Sequence, residues 1–141
     1  MIREFVASDM DSVLRIWLES SVKAHDFVDR AFWESKLDDM RNIYIPASET
    51  YVYESGREVK GFFSLHGDTL AAMFVAPGCQ GEGIGQQLMT KVKSLRKRIT
   101  LGVYKENEQA VEFYKRCGFQ EVSERRDSHI GYAELVMQLH S

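Results

Sequence analysis

The sequence predicts an α+β fold in which helices pack on the faces of a mainly antiparallel sheet. Runs rich in β-branched and aromatic residues open the chain and recur from Thr50 onward, as expected of strands. Other stretches repeat apolar residues every three or four positions, as expected of helices. The 141 residues, of which 44% are hydrophobic and 28% charged, suit one folded domain over residues 1–141.

The first third of the chain predicts one strand followed by two helices. Met1–Val6 is the strand, and Ser8 is placed to cap the first helix. The second helix is predicted from Asp29 to about Tyr44, because Pro46 would end it. The inward-facing residues are Met10, Val13, Leu14, Trp17 and Ser21 in the first helix and Phe32, Trp33, Leu37, Met40 and Tyr44 in the second.

The middle of the chain predicts a three-stranded meander that leads into a third helix. Tight turns are expected at Ser55-Gly56 and at His66-Gly67-Asp68. The strands are Tyr51–Tyr53, Val59–Leu65 and Thr69–Ala76, and the helix after them carries Ile84, Leu88, Val92 and Leu95 on one face.

The last part of the chain predicts a strand, a short helix and two further strands. Ile99–Tyr104 is the first of these strands. Asn107 is placed to cap the helix, and Gly118 is placed to end it. The remaining strands are Phe119–Val122 and Ala133–Leu139.

A glycine-rich loop, Gln80-Gly81-Glu82-Gly83-Ile84-Gly85, joins the third strand of the meander to the third helix. A helix start collects unpaired backbone N–H groups at the positive end of the helix dipole, and glycines let an anion approach them. The loop therefore predicts a phosphate site in which Glu82 points outward. A tight turn with close packing is the alternative. A P-loop and a Rossmann loop are both excluded, because neither spacing is met.

The loop and a later segment together carry a resemblance to a known family. Gln80–Gly85, following the apolar strand Ala72–Pro77, resembles the Q/R-x-x-G-x-G/A signature of the GCN5-related N-acetyltransferase (GNAT) family. Asn107–Phe119 resembles that family's later motif, at the expected distance. The resemblance covers essentially the whole chain. It implies a three-layer fold of about seven strands and four helices, and an enzyme that moves an acetyl group from acetyl-CoA to a primary amine.

The resemblance also implies roles for particular residues. The strand near Phe74 and Val75 would splay from its neighbour and bind the pantetheine arm of the coenzyme. Asn107 would touch the coenzyme near its thiol, and Tyr114 would be the general acid that protonates the departing thiolate. A tyrosine that only packs in the core is the alternative for Tyr114. The pyrophosphate would be held by Gln80, Gly81, Glu82, Gly83, Ile84 and Gly85.

The general base is not marked by either motif. His25 lies with Asp26 in the loop between the first two helices, which borders the acceptor site in the family fold. A histidine titrates in the useful pH range, so His25 is predicted as a base or an acceptor-site residue. A capping or surface histidine is the alternative.

Composition limits the remaining possibilities. The longest apolar run, Leu70–Ala76, is too short to span a membrane, and no signal segment opens the chain. Two separated cysteines, Cys79 and Cys117, favour a reducing compartment, so a cytoplasmic protein is predicted. A net charge of -3 disfavours nucleic acid as a partner. No metal is expected, because His25, His66, His129 and His140 show no metal-site spacing.

The sequence leaves two further questions open. Pairing of C-terminal edge strands makes a homodimer an open possibility, although no motif marks it. The acceptor amine could belong to a protein lysine, a protein N-terminus or a small molecule. The alternative function is a non-catalytic acyl-CoA-binding sensor or scaffold, which the presence of both Asn107 and Tyr114 disfavours.

Overall fold

The computed structural model describes residues 1–127 and 131–140, and within them a seven-stranded sheet runs through the molecule. The strand order is β1-β2-β3-β4-β5-β7-β6, and β4 and β5 form the single parallel pair of this sheet. The predicted α+β fold with a mainly antiparallel sheet is therefore confirmed. The strands are β1 (Ile2–Glu4), β2 (Glu49–Ser55), β3 (Glu58–His66), β4 (Thr69–Val75), β5 (Arg98–Tyr104), β6 (Gln120–Arg126) and β7 (Ala133–His140).

The helices correspond to the four predicted helical regions. Short 3₁₀ turns at Ala7–Asp9 and Pro77–Cys79 precede two of them. None of the helices in the described part of the chain is both long and apolar enough to cross a bilayer. The helices are α1 (Met10–Ala24), α2 (Arg30–Glu34), α3 (Leu37–Asp39) with a π-helical turn at Met40–Tyr44, α4 (Ile84–Leu95) and α5 (Glu108–Arg116).

The second helical region is not the continuous helix that the spacing predicted. It breaks after Glu34, where the Ser35 hydroxyl donates to the Phe32 carbonyl at 2.6 Å. Such a local side-chain bond competes with helical backbone bonding. The wider π-helical turn that follows leaves Tyr44 54% exposed, so the predicted inward position of Tyr44 is wrong.

The first helix is not capped by Ser8. Ser8 lies inside the 3₁₀ turn, and Asp9, the residue at the N-cap of α1, makes no side-chain bond to the helix. The Asp9 carboxylate accepts the N–H of Val6 at 2.9 Å and so closes the 3₁₀ turn. Arg3 binds the same carboxylate at 2.8 Å and also Glu54 at 3.2 Å, which joins β1 to the start of α1. The Arg3 guanidinium and the Val6 N–H hold the pKa of Asp9 below its usual value. The 3₁₀ turn places Asp9 rather than Ser8 immediately before α1, which is why Ser8 is not the capping residue.

The sheet is the middle of three layers. Alternate side chains of each strand point to opposite faces, so Phe63, Leu101 and Val103 pack under α4 and α5. Phe62 and Tyr104 pack on the other face, under α1 to α3. The two faces of the sheet therefore support two separate sets of helices.

The strands β4 and β5 pair at only one registered position, Thr69 with Thr100. β4 is paired with β3 along to Val75, and β5 is paired with β7 from Arg98 to Tyr104. Each strand is therefore held by its outer neighbour while the two separate from each other. The carboxyl ends of β4 and β5 diverge, as the family resemblance predicts near Phe74 and Val75, and a cleft opens between them.

Candidate active site

The cleft between β4 and β5 has a volume of about 550 Å³. It gathers residues from both sides of the sheet, including the loop before α4, α5, the end of α1 and β7. All the predicted site residues line it except Glu82, which is exposed on the outside of the loop. The lining ones are His25, Phe74, Val75, Gln80, Gly81, Gly83, Ile84, Gly85, Asn107 and Tyr114.

The loop before α4 is shaped by two glycines in the left-handed backbone region. Gly81 has φ +86° and Gly83, the residue that precedes the first turn of α4, has φ +81°. A Cβ atom at either position would meet nothing within 4 Å, so the space beside the loop is open. The first N–H groups of α4 have no helical carbonyl to bind, and the helix dipole adds positive potential. The loop is thus suited to hold a phosphate.

The cleft-facing edge of β4 presents backbone groups of Val75. Val75 lies opposite Gly61, and the bond from Ala76 N–H to the Lys60 carbonyl (2.8 Å) directs the N–H and C=O of Val75 away from β3. The Ser20 hydroxyl of α1 donates to that carbonyl at 3.2 Å, which leaves the N–H for a ligand. The backbone of Phe74 has the opposite orientation, toward Phe62 of β3. Any contact between Phe74 and a ligand in the cleft would therefore come from its side chain.

Tyr114 lies on α5, whose start is set by the predicted cap. The Asn107 Oδ1 atom accepts the N–H of Ala110 at 3.3 Å, which confirms the capping prediction. The Tyr114 ring is half-buried between Phe113 and Phe119, with centroid distances of 5.5 and 5.7 Å. Burial, with a smaller contribution from Cys117, raises the pKa of Tyr114 above its usual value. The hydroxyl therefore keeps its proton at neutral pH.

His25 is the residue at the C-cap of α1 and is 7% exposed, so the capping part of the alternative interpretation is confirmed and the surface part is wrong. Its Nδ1 atom lies 3.0 Å from the Ser21 carbonyl. A carbonyl can only accept, so Nδ1 carries the proton and Nε2 carries the lone pair. Burial lowers the pKa of His25, and the bond to Ser21 opposes this only in part. His25 is thus uncharged near neutral pH and lies beside the cleft.

Aromatic rings surround His25 and form one end of the cleft wall. Trp33 and Tyr104 lie with their ring centroids 5.1 and 5.2 Å from the imidazole, and Phe27 lies at 5.8 Å. The Tyr104 hydroxyl donates to Asp127 at 2.9 Å. Burial first, and this bond second, raise the pKa of Tyr104 above its usual value. The rings of His25, Phe27, Trp33 and Tyr104 are therefore all uncharged near neutral pH.

Several lining residues were not singled out as site residues from the sequence. Ser21 was assigned to an inward helix face, and nothing in its spacing showed that it borders a cleft. The Oγ atom of Ser21 and the Nε1 atom of Trp33 are buried without a hydrogen-bond partner among the described residues. Glu134 of β7 also lines the cleft, and no motif marks it.

The described residues contain no group of three or more histidine, cysteine or acidic side chains placed to hold a metal ion. Of the histidines considered from the sequence, His129 lies outside the described residues. The polar groups of the described cleft residues include backbone amides, hydroxyls, one imidazole, Arg116, Glu134 and the side-chain amides of Gln80, Gln86, Asn107 and Gln109.

The sequence matches known acetyltransferases. A family model described as an acetyltransferase (GNAT) domain matches residues 46–121. The peptidyl-lysine N-acetyltransferase YiaC of Escherichia coli (strain K12) is 37% identical over 120 residues, which is 84% of this chain and 82% of that protein. The peptidyl-lysine N-acetyltransferase YjaB of Salmonella typhimurium is 31% identical over 120 residues, covering 84% and 82%.

Solved structures share the whole fold. The solution structure of apo YjaB from Escherichia coli superposes with a TM-score of 0.86 at 28% identity, covering 98% of this chain and 95% of that one. The PaiA N-acetyltransferase of Thermoplasma acidophilum, solved in complex with coenzyme A, gives a TM-score of 0.83 at 16% identity, covering 100% and 98%. The latter likeness concerns the fold alone.

The buried, neutral state of His25 predicts a pH dependence of stability. Its folded-state pKa is lowered, so the unfolded chain, with a pKa of about 6.5, takes up the proton first as pH falls. The contribution of neutral His25 to the free energy of unfolding should therefore be complete above about pH 6.5. It should be lost as the pH falls from there through the folded-state pKa. When the free energy of unfolding is measured by urea unfolding at several pH values in this range, it should depend less steeply on pH for His25→Gln than for the wild type. The exposed His66→Gln is the control, and equal slopes for all three proteins would contradict the prediction.

Proposed function

The chain belongs to the GNAT family of acetyltransferases and is an N-acetyltransferase, and we propose that it transfers the acetyl group of acetyl-CoA to lysine side chains of proteins. The observation that supports the proposal is one cavity lined by the glycine-rich loop before α4, the cleft-facing edge of β4 and Tyr114. Lysine is proposed as the acceptor because the matched relatives YiaC and YjaB are named peptidyl-lysine N-acetyltransferases.

The coenzyme is proposed to lie along β4, from the loop toward α5. The backbone N–H groups of Gly81 to Gly85 would hold the pyrophosphate at the start of α4. The cleft-facing N–H of Val75 would pair with an amide of the pantetheine arm, as a strand edge pairs with an added strand. Asn107 and Tyr114 would then lie beside the thioester.

Reduced Cys79 and Cys117 and the need for acetyl-CoA are consistent with a cytoplasmic location.

The acceptor is proposed to enter from the face of the sheet that carries α1 to α3, where His25 lies. A lysine ammonium must lose a proton before it attacks, and the His25 Nε2 lone pair would receive it directly or through water. The amine nitrogen then bonds to the thioester carbon, and the carbon–sulfur bond breaks as the intermediate collapses. The Tyr114 hydroxyl would donate its proton to the departing thiolate, and the nitrogen would lose its second proton to solvent, from which the Tyr114 phenolate regains one. The products are then an acetylated lysine, the free coenzyme thiol and the proton first taken up by His25.

The acceptor class is tested with three acceptors: a lysine peptide whose N-terminus is blocked, the same peptide with norleucine for lysine and a free N-terminus, and a polyamine. Thiol release from acetyl-CoA should occur with the first and be weak with the others. If only the norleucine peptide with the free N-terminus, or only the polyamine, is acetylated, the proposed lysine acceptor is wrong. The acetyltransferase activity itself would still be supported by that result.

Gly83→Val should abolish coenzyme binding. A side chain at φ +81° forces the loop to change and fills the space beside its N–H groups. Saturating acetyl-CoA should stabilise the wild type by about 2.7 kcal/mol at 100 times its Kd, and this thermal shift should vanish in the variant.

Gly67→Val is the matched control for that loss. Gly67 also has a positive φ, +60°, and open space around its Cβ position, but it lies in the hairpin between β3 and β4, outside the cleft. The control should lose a similar amount of intrinsic stability and keep the acetyl-CoA shift. Loss of the shift in both variants would mean that the loop has no special part in binding.

Tyr114→Phe should lower kcat by about 10²- to 10⁴-fold, because it removes the proton donor and keeps the ring. The Kd for acetyl-CoA should change little, since the hydroxyl acts late in the reaction. Tyr51→Phe, on the far strand β2, is the control and should retain wild-type kcat. A Tyr114→Phe enzyme within about threefold of wild type, with chemistry rate-limiting, would assign Tyr114 to packing.

A further inference from the structure

Glu134 is the single acidic residue among the described residues that line the cleft. It lies on β7 directly opposite Tyr104 of β5, and Tyr104 packs against His25. Its side chain is 17% exposed. A carboxylate with so little contact with solvent needs a partner of opposite charge or several hydrogen bonds.

Gly102 provides the room for this carboxylate. A Cβ atom at Gly102 would lie 3.0 Å from the Cδ and Oε2 atoms of Glu134 and 3.1 Å from an Nη atom of Arg125. Gly102 and Tyr104 are on the same face of β5, the face of α1 to α3. The carboxylate therefore lies flat against β5, on the side where the acceptor is proposed to enter.

The present partner of Glu134 is the chain's own Arg125. Arg125 lies opposite Glu134 on the edge strand β6, and its Nε atom donates to Glu134 Oε1 at 2.6 Å. The guanidinium thus reaches across β7 to the position above Gly102, although the Arg125 side chain remains 61% exposed. A solvent-exposed arginine held by one ion pair loses little when it moves back into water.

We infer that Glu134 is the binding site for the ammonium group of the acceptor, and that Arg125 occupies this carboxylate until the acceptor displaces it. This inference rests on the proposed function. The arrangement suits a cation because a carboxylate is acceptor-only and an ammonium group is donor-only. His25 is neutral and Arg116 lies on α5, so Glu134 supplies the negative charge among the described residues that line the cleft. Asp127, which accepts from Tyr104, does not line it. The chain's own guanidinium shows that a cation fits there.

The inference predicts opposite effects for the two partners on the KM for a lysine peptide. Glu134→Gln removes the charge that binds the ammonium, so this KM should rise about 10- to 100-fold. Arg125→Gln removes the internal competitor, so the KM for the lysine peptide should fall about two- to fivefold. The KM for acetyl-CoA should be unchanged in both, because neither residue borders the loop before α4.

A small cation gives a second measurement. Ethylguanidinium should inhibit Arg125→Gln competitively against the peptide, inhibit the wild type less, and not inhibit Glu134→Gln. Glu124→Gln is the matched control, because Glu124 also lies on this sheet in an ion pair, with Lys105 at 3.2 Å, but not in the cleft. Thermal unfolding with and without acetyl-CoA checks that each variant is folded.

An unchanged KM for the peptide in Glu134→Gln, or an equal rise in the KM for acetyl-CoA, would overturn the inference. A higher KM for the peptide in Arg125→Gln would also contradict the inference that the acceptor displaces Arg125 from Glu134. Arg125 would then serve to orient Glu134. If the wild type acetylates no lysine peptide, the proposed acceptor class fails instead. The same Glu134→Gln comparison on the amine that is turned over then decides the inference.

Discussion

The candidate site depends on the failure of β4 and β5 to pair beyond Thr69 and Thr100. A fully paired parallel sheet would use every backbone N–H and C=O of these strands for its own ladder. Because β3 and β7 hold the two strands from outside, they can diverge without unfolding the sheet. The divergence creates the cavity and also leaves the Val75 N–H for a ligand, so shape and hydrogen-bonding capacity have one origin.

In the three-layer arrangement, different residues of the candidate site lie on the two faces of the sheet. The loop at the start of α4 and the helix α5 lie on one side and carry the proposed phosphate site and Tyr114. The end of α1 and the adjoining helices lie on the other side and place His25. In the proposed function the two substrates approach from these opposite faces and meet in the cleft. The row of Tyr104, Glu134 and Arg125 extends the acceptor side across three strands.

Burial has opposite effects on the two residues proposed to handle protons. A low-polarity environment disfavours the charged form of any group. It therefore raises the pKa of Tyr114, which stays protonated, and lowers that of His25, which stays neutral. The Ser21 carbonyl further decides which imidazole nitrogen is free. One physical effect thus prepares a proton donor and a proton acceptor in the same cavity.

Local chemistry is what the sequence by itself determined. The glycines of Gln80–Gly85 and the cap at Asn107 act within a few residues, so spacing was enough to predict them, and the apolar periods predicted the sheet and the helical regions. The break after Glu34 and the 3₁₀ turn closed by Asp9 depended on local hydrogen bonds that spacing does not rank. Only the tertiary structure brought Glu134 beside Gly102 and buried His25 among aromatic rings, because these contacts join residues from strands and helices far apart in the chain.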